Sequence, residues 1–350
     1  MKKIILAALI CCASNAHAEW VKPSERYANE YKKHESAVCP IEKSDIRHFV
    51  YFARDRAGIQ NHPLLKSNSF AGAQIMYPWA ELEPVEGEYD FSQIEADLEY
   101  LEAHGKKLFI QLQDATFTTT FKGVPEYLLT EKYDGGVVKQ ITDDGVHEGW
   151  VAKRWNKDVN QRFAKLIAAL GKAFDGRIEG INLQESAIGV TSEISPGFTN
   201  EAYVAAIKSN MDALSSGFEH SAKIQYANFM PGEWLPWEDE GYLKSIYEYG
   251  ESIGVGLGAP DLMPKRKGQL NHALAMMHES DYSVPMSIAV QDGNYIGKTN
   301  SMDVESGREN LVPSLVSFAT KFLKVDYMFW VNQEPYFEQD VLSCFDGARK

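Results

Sequence analysis

Short apolar runs bounded by turn residues recur along the chain, and stretches with helical spacing separate most of them. Eight runs read as strands: Ile46–Phe52, Ala71–Trp79, Lys107–Asp114, Ile178–Glu185, Lys223–Phe229, Gly254–Asp261, Val284–Asp292 and Val325–Trp330. The clearest helix starts at Asp90 and carries Phe91, Ile94, Leu98 and Leu101 at a spacing near 3.6, with Asp90 as its N-cap and Gly105 just past its end. Further helices are predicted over about 158–174, 200–216, 239–253, 269–278 and 312–323. Eight strands with helices between them predict an α/β chain folded as a single (β/α)8 TIM barrel with long loops on its C-terminal face. The competing doubly wound sheet carries a Gly-rich phosphate turn after its first strand. Here that position reads Phe52-Ala53-Arg54-Asp55-Arg56.

The first residues follow a different pattern. Lys2 and Lys3 precede the apolar run Ile4–Ala13, which is too short to span a bilayer, and Ala16-His17-Ala18 supplies a small-x-small cleavage site. Residues 1–18 are therefore expected to be an export signal, 19–40 an N-terminal extension and 41–350 the barrel. The protein is expected to be secreted or periplasmic. Cys11 and Cys12 leave with the signal, and Cys39 and Cys344, an even pair in an oxidising compartment, are expected to form a disulfide that ties the ends of the mature chain together.

Charge narrows the partners. The chain of 350 residues has 35 Lys and Arg against 49 Asp and Glu, a net charge of −14, and its densest basic run is Lys265-Arg266-Lys267. Such a surface repels phosphate backbones, so nucleic acid is excluded as a partner. No later stretch approaches the length of a membrane span. There is no HExxH, His-x-His or Cys cluster to hold a metal, and neither a Walker loop nor a GxSxG elbow, so no cofactor is implied. Nothing in the sequence calls for a second subunit, and a monomer is expected.

In a barrel of this kind the chemistry sits where the strands end. Those ends carry Tyr77-Pro78-Trp79, Gln111-Leu112-Gln113-Asp114, Gln184-Glu185, Tyr226-Ala227-Asn228, Pro260-Asp261, Gln291-Asp292 and Trp330 through Glu334. Carboxylates, amides and indoles thus converge on one rim. Paired carboxylates suit glycosidic bonds, one protonating the leaving oxygen while the other attacks the anomeric carbon or activates water. Amides can orient sugar hydroxyls, and indole faces can stack on a pyranose. Glu81 and Glu83 are expected to tie down the strand-two loop. Trp155, Trp234 and Trp237 fall on loops over the expected mouth, where a binding role is plausible, and the Gly135-Gly136 region between Thr130 and Trp150 forms a long loop suited to substrate contacts.

The segment from Met76 to Phe91, with Trp79, Glu83-Pro84, Gly87 and Tyr89-Asp90-Phe91, resembles the strand-two region of TIM-barrel glycoside hydrolases. The third strand Gly105–Leu112, and the loop from Val124-Pro125-Glu126-Tyr127-Leu128 to Trp155-Asn156, are similar to theirs. The likeness is good over about 46–190 and only general beyond. In the retaining clan it points to, an acid/base Glu ends strand four and a nucleophile Glu ends strand seven. By position the resemblance makes Glu185 the acid/base. The usual preceding Asn is here Gln184, and strand seven has no Glu: Asp292 takes that place, with Asp261 and Glu334 as alternative second carboxylates. Trp79, Asp114, Gln184, Asn228, Asp261, Gln291, Trp330 and Glu334 are the expected substrate contacts. The implied activity is hydrolysis of a poly- or oligosaccharide, and a carbohydrate-binding barrel that lost the strand-seven Glu is the alternative.

Overall fold

A computed structural model describes residues 20–41, 44–299 and 311–347 of the chain. The expected export signal lies outside the described residues. Eight parallel strands close into a barrel: β1 (Arg47–Tyr51), β2 (Gly72–Pro78), β3 (Lys107–Gln113), β4 (Gly180–Leu183), β5 (Ala222–Tyr226), β6 (Gly256–Ala259), β7 (Met286–Val290) and β8 (Tyr327–Val331). Each pairs with the next, and β8 pairs with β1 in the register Val50 opposite Trp330. The strands fall where the apolar runs predict them. Most are shorter, because turn residues at each end leave the ladder.

Helices α1 (Ser92–Ala103), α2 (Lys157–Phe174), α3 (Asn200–Gly217), α4 (Tyr242–Ile253), α5 (Ala273–Glu279) and α6 (Leu311–Phe318) lie between consecutive strands from β2 onward. The link from β1 to β2 holds only two short 3-10 turns, Arg56–Ile59 and Pro63–Leu65. Asp55 accepts from Gly58 N there, and left-handed backbone at Ala53 and Asn61 interrupts any longer helix. Phe91 rather than Asp90 holds the N-cap position of α1, and Asp90, two residues before Ser92, accepts from Ser92 N at 2.9 Å. It ends in a Schellman turn: Gly105 (φ +70°) donates to Glu102 O and Lys106 to Leu101 O. Ile94, Leu98 and Leu101 form the buried stripe, as their spacing predicts. Where α2 and α3 cross, a Cβ on Gly171 would lie 2.1 Å from Gly217 O, so only glycine permits that approach.

Inside the barrel, alternate residues of each strand point to the axis. Low in the barrel these are aromatic: Phe109 sits 5.6 Å from Phe49 and 4.9 Å from Phe329, ring centroid to centroid. Above them come amides and phenols, with Gln74 Nε2 donating to Asn182 Oδ1 at 2.8 Å beside Tyr226. The core thus turns from apolar to polar toward the C-terminal ends of the strands.

The N-terminal extension lies across α5 and α6. Ser24 N donates to Asn271 Oδ1 at 2.8 Å, the Tyr27 ring packs edge-on against Phe322, and His34 Nδ1 meets Ser317 Oγ at 2.9 Å. Cys39 and Cys344 form a disulfide with their Cα atoms 4.9 Å apart, joining the extension to the last helical turn, Ser343–Asp346. Among the described residues no helix is long and apolar enough to cross a membrane.

Candidate active site

A cavity of about 230 Å3 opens above the polar layer, at the C-terminal mouth of the barrel. It lies below the ~300–1,000 Å3 of a drug-sized ligand pocket, which suits one small polar unit rather than an extended molecule. Its wall follows from strand parity. Tyr51, Gln111 and Tyr226 continue the inward-facing positions of their strands, and Gln184 and Gln291 do so at the ends of β4 and β7. The residue after each of those last two glutamines is a carboxylic acid, and both acids line the cavity: Glu185 and Asp292.

Glu185 is half-buried, and Asn228 Nδ2 donates to its Oε2 at 2.6 Å. Burial drives its pKa upward, and the nearby charge of Asp261 adds to this. The Asn228 hydrogen bond and the Arg154 guanidinium oppose it, and the balance rests at about 8. Glu185 is therefore held toward its protonated form at neutral pH. Asn228 is itself fixed, accepting from Ala187 N at 3.2 Å and donating its own N–H to Ser186 Oγ.

Arg154 holds this corner together. Its Nε and Nη2 grip both oxygens of Asp114 at 2.7 and 2.6 Å, and Nη1 donates to the Glu185 carbonyl oxygen at 2.9 Å and to Tyr203 OH at 2.7 Å. The side chains of both Arg154 and Asp114 are almost fully buried. Gln184 belongs to the same frame, its Oε1 accepting from Asp114 N and Ala115 N at 2.9 and 2.6 Å.

Asp292 is half-buried, and burial raises its pKa above the usual carboxylate value. Asn294 clamps the chain around it: its Oδ1 accepts from Gln291 N at 2.8 Å and its Nδ2 donates to Asp261 Oδ1 at 2.9 Å. Asp261 is thereby buried outside the cavity lining, and its charge adds to the upward shift of Glu185.

Several expected contacts lie elsewhere. Trp330 faces outward, because Phe329 takes the inward position. Its ring packs 5.7 Å from Phe345, and Nε1 donates to His48 Nδ1 at 3.2 Å. Trp79 is fully buried against Phe163, its Nε1 donating to Glu83. Neither indole can serve as a sugar platform. Asp114 is consumed by Arg154 and Asn228 by Glu185, so both position other residues rather than meet a substrate. Glu334 is exposed on the loop after β8 and is not part of the cavity lining. Glu83 does tie down its loop: it is fully buried, accepts from Trp79, Tyr127 and Gly87 N, and pairs with Arg162. Of the three loop tryptophans, Trp155 packs on Phe198 and Trp237 is half-buried, but Trp234 is 78% exposed.

The sequence reading missed Arg154, Tyr51 and the small hairpin formed by Val137–Ile141 and His147–Ala152. Counting strand parity from Phe49 would have found Tyr51. Nothing local marks Arg154, whose partner stands 40 residues away in the chain.

The fold is one seen before. An enzyme designated AHE from Alicyclobacillus herbarius is 10% identical, with a TM-score of 0.50 over 84% of this chain and 89% of its own. A beta-glucosidase from Exiguobacterium marinum is 8% identical, with a TM-score of 0.50 over 83% and 89%. Endo-glycoceramidase II from Rhodococcus sp. is 10% identical, with a TM-score of 0.49 over 84% and 75%. At these identities the likeness is one of architecture. No family model matches the chain, and no curated protein matches it. Among the described residues no group of three or more His, Cys, Asp or Glu is placed to hold a metal ion.

Proposed function

We propose that the protein is an exported glycoside hydrolase that cleaves a poly- or oligosaccharide with a pair of carboxyl groups. The observation that carries this reading is that the carboxyl groups of Glu185 and Asp292 line one small cavity at the barrel mouth, where burial raises the pKa of both, that of Glu185 to about 8. In this scheme Glu185 is the general acid. It enters protonated, donates its proton to the glycosidic oxygen and leaves as a carboxylate that Asn228 stabilises by hydrogen bonding. Asp292 supplies the second carboxylate, and Asn294 and Gly293 fix the backbone that carries it. Its arm is one methylene shorter than the Glu of the retaining pattern, so at the same backbone position its carboxyl would stand farther from Glu185. That favours direct displacement by water with inversion at the anomeric carbon. The wall glutamines and Tyr51 supply donors and acceptors for the sugar hydroxyls.

Export is part of the proposal. The charged, apolar and small-x-small segments of residues 1–18 support it, as does a disulfide that persists in an oxidising compartment.

The test is reducing-end release across a panel of plant, algal and bacterial polysaccharides, run with wild type and Glu185→Gln. Release by wild type that the variant abolishes supports the reading. Binding without release by either protein would favour a barrel that kept a sugar cleft after the strand-seven Glu was lost.

A further inference from the structure

The central cavity does not stand alone on this face. A second hollow of about 750 Å3 lies beside it, and a third of about 490 Å3 adjoins the second, with Gly232 lining both. Two loops contribute residues to both the cavity and the second hollow. The strand-four loop contributes Glu185 to the first and Ile188 and Gly189 to the second. The strand-three loop contributes Thr118 to the first, and its hairpin contributes Ile141 to the second. The two walls are stitched together: Ile141 N donates to Gly189 O at 2.8 Å, and Gly189 N donates to Gln140 Oε1 at 3.4 Å. A Cβ on Gly189 would lie 2.3 Å from Ile141 O, so this seam needs glycine.

At the far end stands the Trp234 indole. Its loop is held firmly while its ring is left out: Asp239 Oδ2 accepts from Trp234 N and Leu235 N at 2.6 and 2.5 Å, and the Glu233 carboxylate caps α4 at Tyr242 N and Leu243 N. A fixed loop that exposes a large flat ring at the end of a trough is a stacking surface. The trough mixes apolar Ile188 and Phe198 with Thr191, Thr199 and Asn200, a lining suited to rings with apolar faces and hydroxyl edges. Its charges are acidic, Asp143 and Glu201 along it and Asp239 and Glu240 at the end, which repels an anionic chain.

We propose that this trough holds the continuation of an uncharged glycan beyond the unit cleaved at Glu185, with Trp234 as a distal platform for a sugar ring. The inference rests on the hydrolase reading and makes the substrate a neutral chain of several units.

The test uses the full mature protein with cello- and manno-oligosaccharides of two to six units, and oligogalacturonates of the same lengths. Hydrolysis is measured for wild type and Trp234→Ala, and binding is measured in the Glu185→Gln background with and without Trp234→Ala. The expected result is a rate and affinity that rise with chain length on a neutral ladder. Trp234→Ala lowers the hexasaccharide values roughly tenfold, the size of one good aromatic contact, and leaves the disaccharide values unchanged. Equal loss on short and long chains, no loss at all, or no length-dependent binding on either neutral ladder overturns the trough. Oligogalacturonates bound as tightly as the neutral chains overturn its neutral character. Length-dependent, Trp234-dependent binding without hydrolysis by wild type would support the trough while overturning the hydrolase reading.

Discussion

The side-chain amide of Asn228 donates to Glu185 Oε2 across 2.6 Å, from the end of one barrel strand to the end of its neighbour. This contact favours the charged form of Glu185 against the burial that opposes it. Asn228→Ala is expected to push the Glu185 pKa above about 8. The alkaline limb of the kcat/KM–pH profile then moves to higher pH, while the rate falls because the carboxyl loses its orientation. Rates between pH 5 and 10 check both effects.

Glu185→Gln is expected to reduce turnover by about 10²–10⁴-fold, the usual contribution of general acid catalysis, with the fold retained. In wild type the rate falls above about pH 8 as Glu185 loses its proton. It falls on the acid side as Asp292, itself raised by burial, gains one. Stability carries the same signature. A carboxyl whose folded pKa is raised from 4.5 to about 8 favours the fold fully below pH 4.5, and that favour is lost as pH rises toward 8. The melting temperature of Glu185→Gln is therefore expected to exceed that of wild type at pH 9, with the gap closing toward pH 4.5.

Arg154→Met leaves the Asp114 carboxylate buried without its partner. Breaking a buried pair by removing one member costs about 3–5 kcal/mol, and urea denaturation should show a loss of that order. Glu185 also loses the donor that fixes its carbonyl, so kcat is expected to fall in the fraction that remains folded.

If water attacks directly, the first product has the anomeric configuration opposite to that of the substrate bond. Proton NMR taken early in the reaction, before mutarotation, reads this outcome.

Replacing Cys39 and Cys344 by Ala frees a loop closed over a separation of 305 residues. The stability lost is expected to reach up to about 5 kcal/mol, and kcat is expected to hold because neither residue lines the cavity. Thermal melts with and without reductant check the first expectation, and initial rates check the second.

Much of this was legible in the sequence because barrel strands advertise themselves as short apolar runs between turns. The ends of β4 and β7 could be read directly, and Gln184-Glu185 and Gln291-Asp292 do line the cavity. The misplacements share one cause. Trp79, Asp114, Asn228 and Trp330 were assigned by nearness to a strand end, but which way a side chain points depends on parity and on partners. Trp330 follows the inward Phe329 and so turns out to the helix layer. Asp114 and Asn228 were claimed by Arg154 and Glu185, pairings that exist only once the barrel has closed. The disulfide was readable from cysteine number and the expected compartment, without any distance.

That bridge alters what a protease could achieve here. One cut anywhere between residues 39 and 344 would leave both fragments covalently joined, since the chain between the two cysteines is a closed ring. A nicked molecule would migrate as a single species on a denaturing gel until reductant was added. A peptide bond lost in an exposed loop would thus leave the barrel strands in one covalent piece.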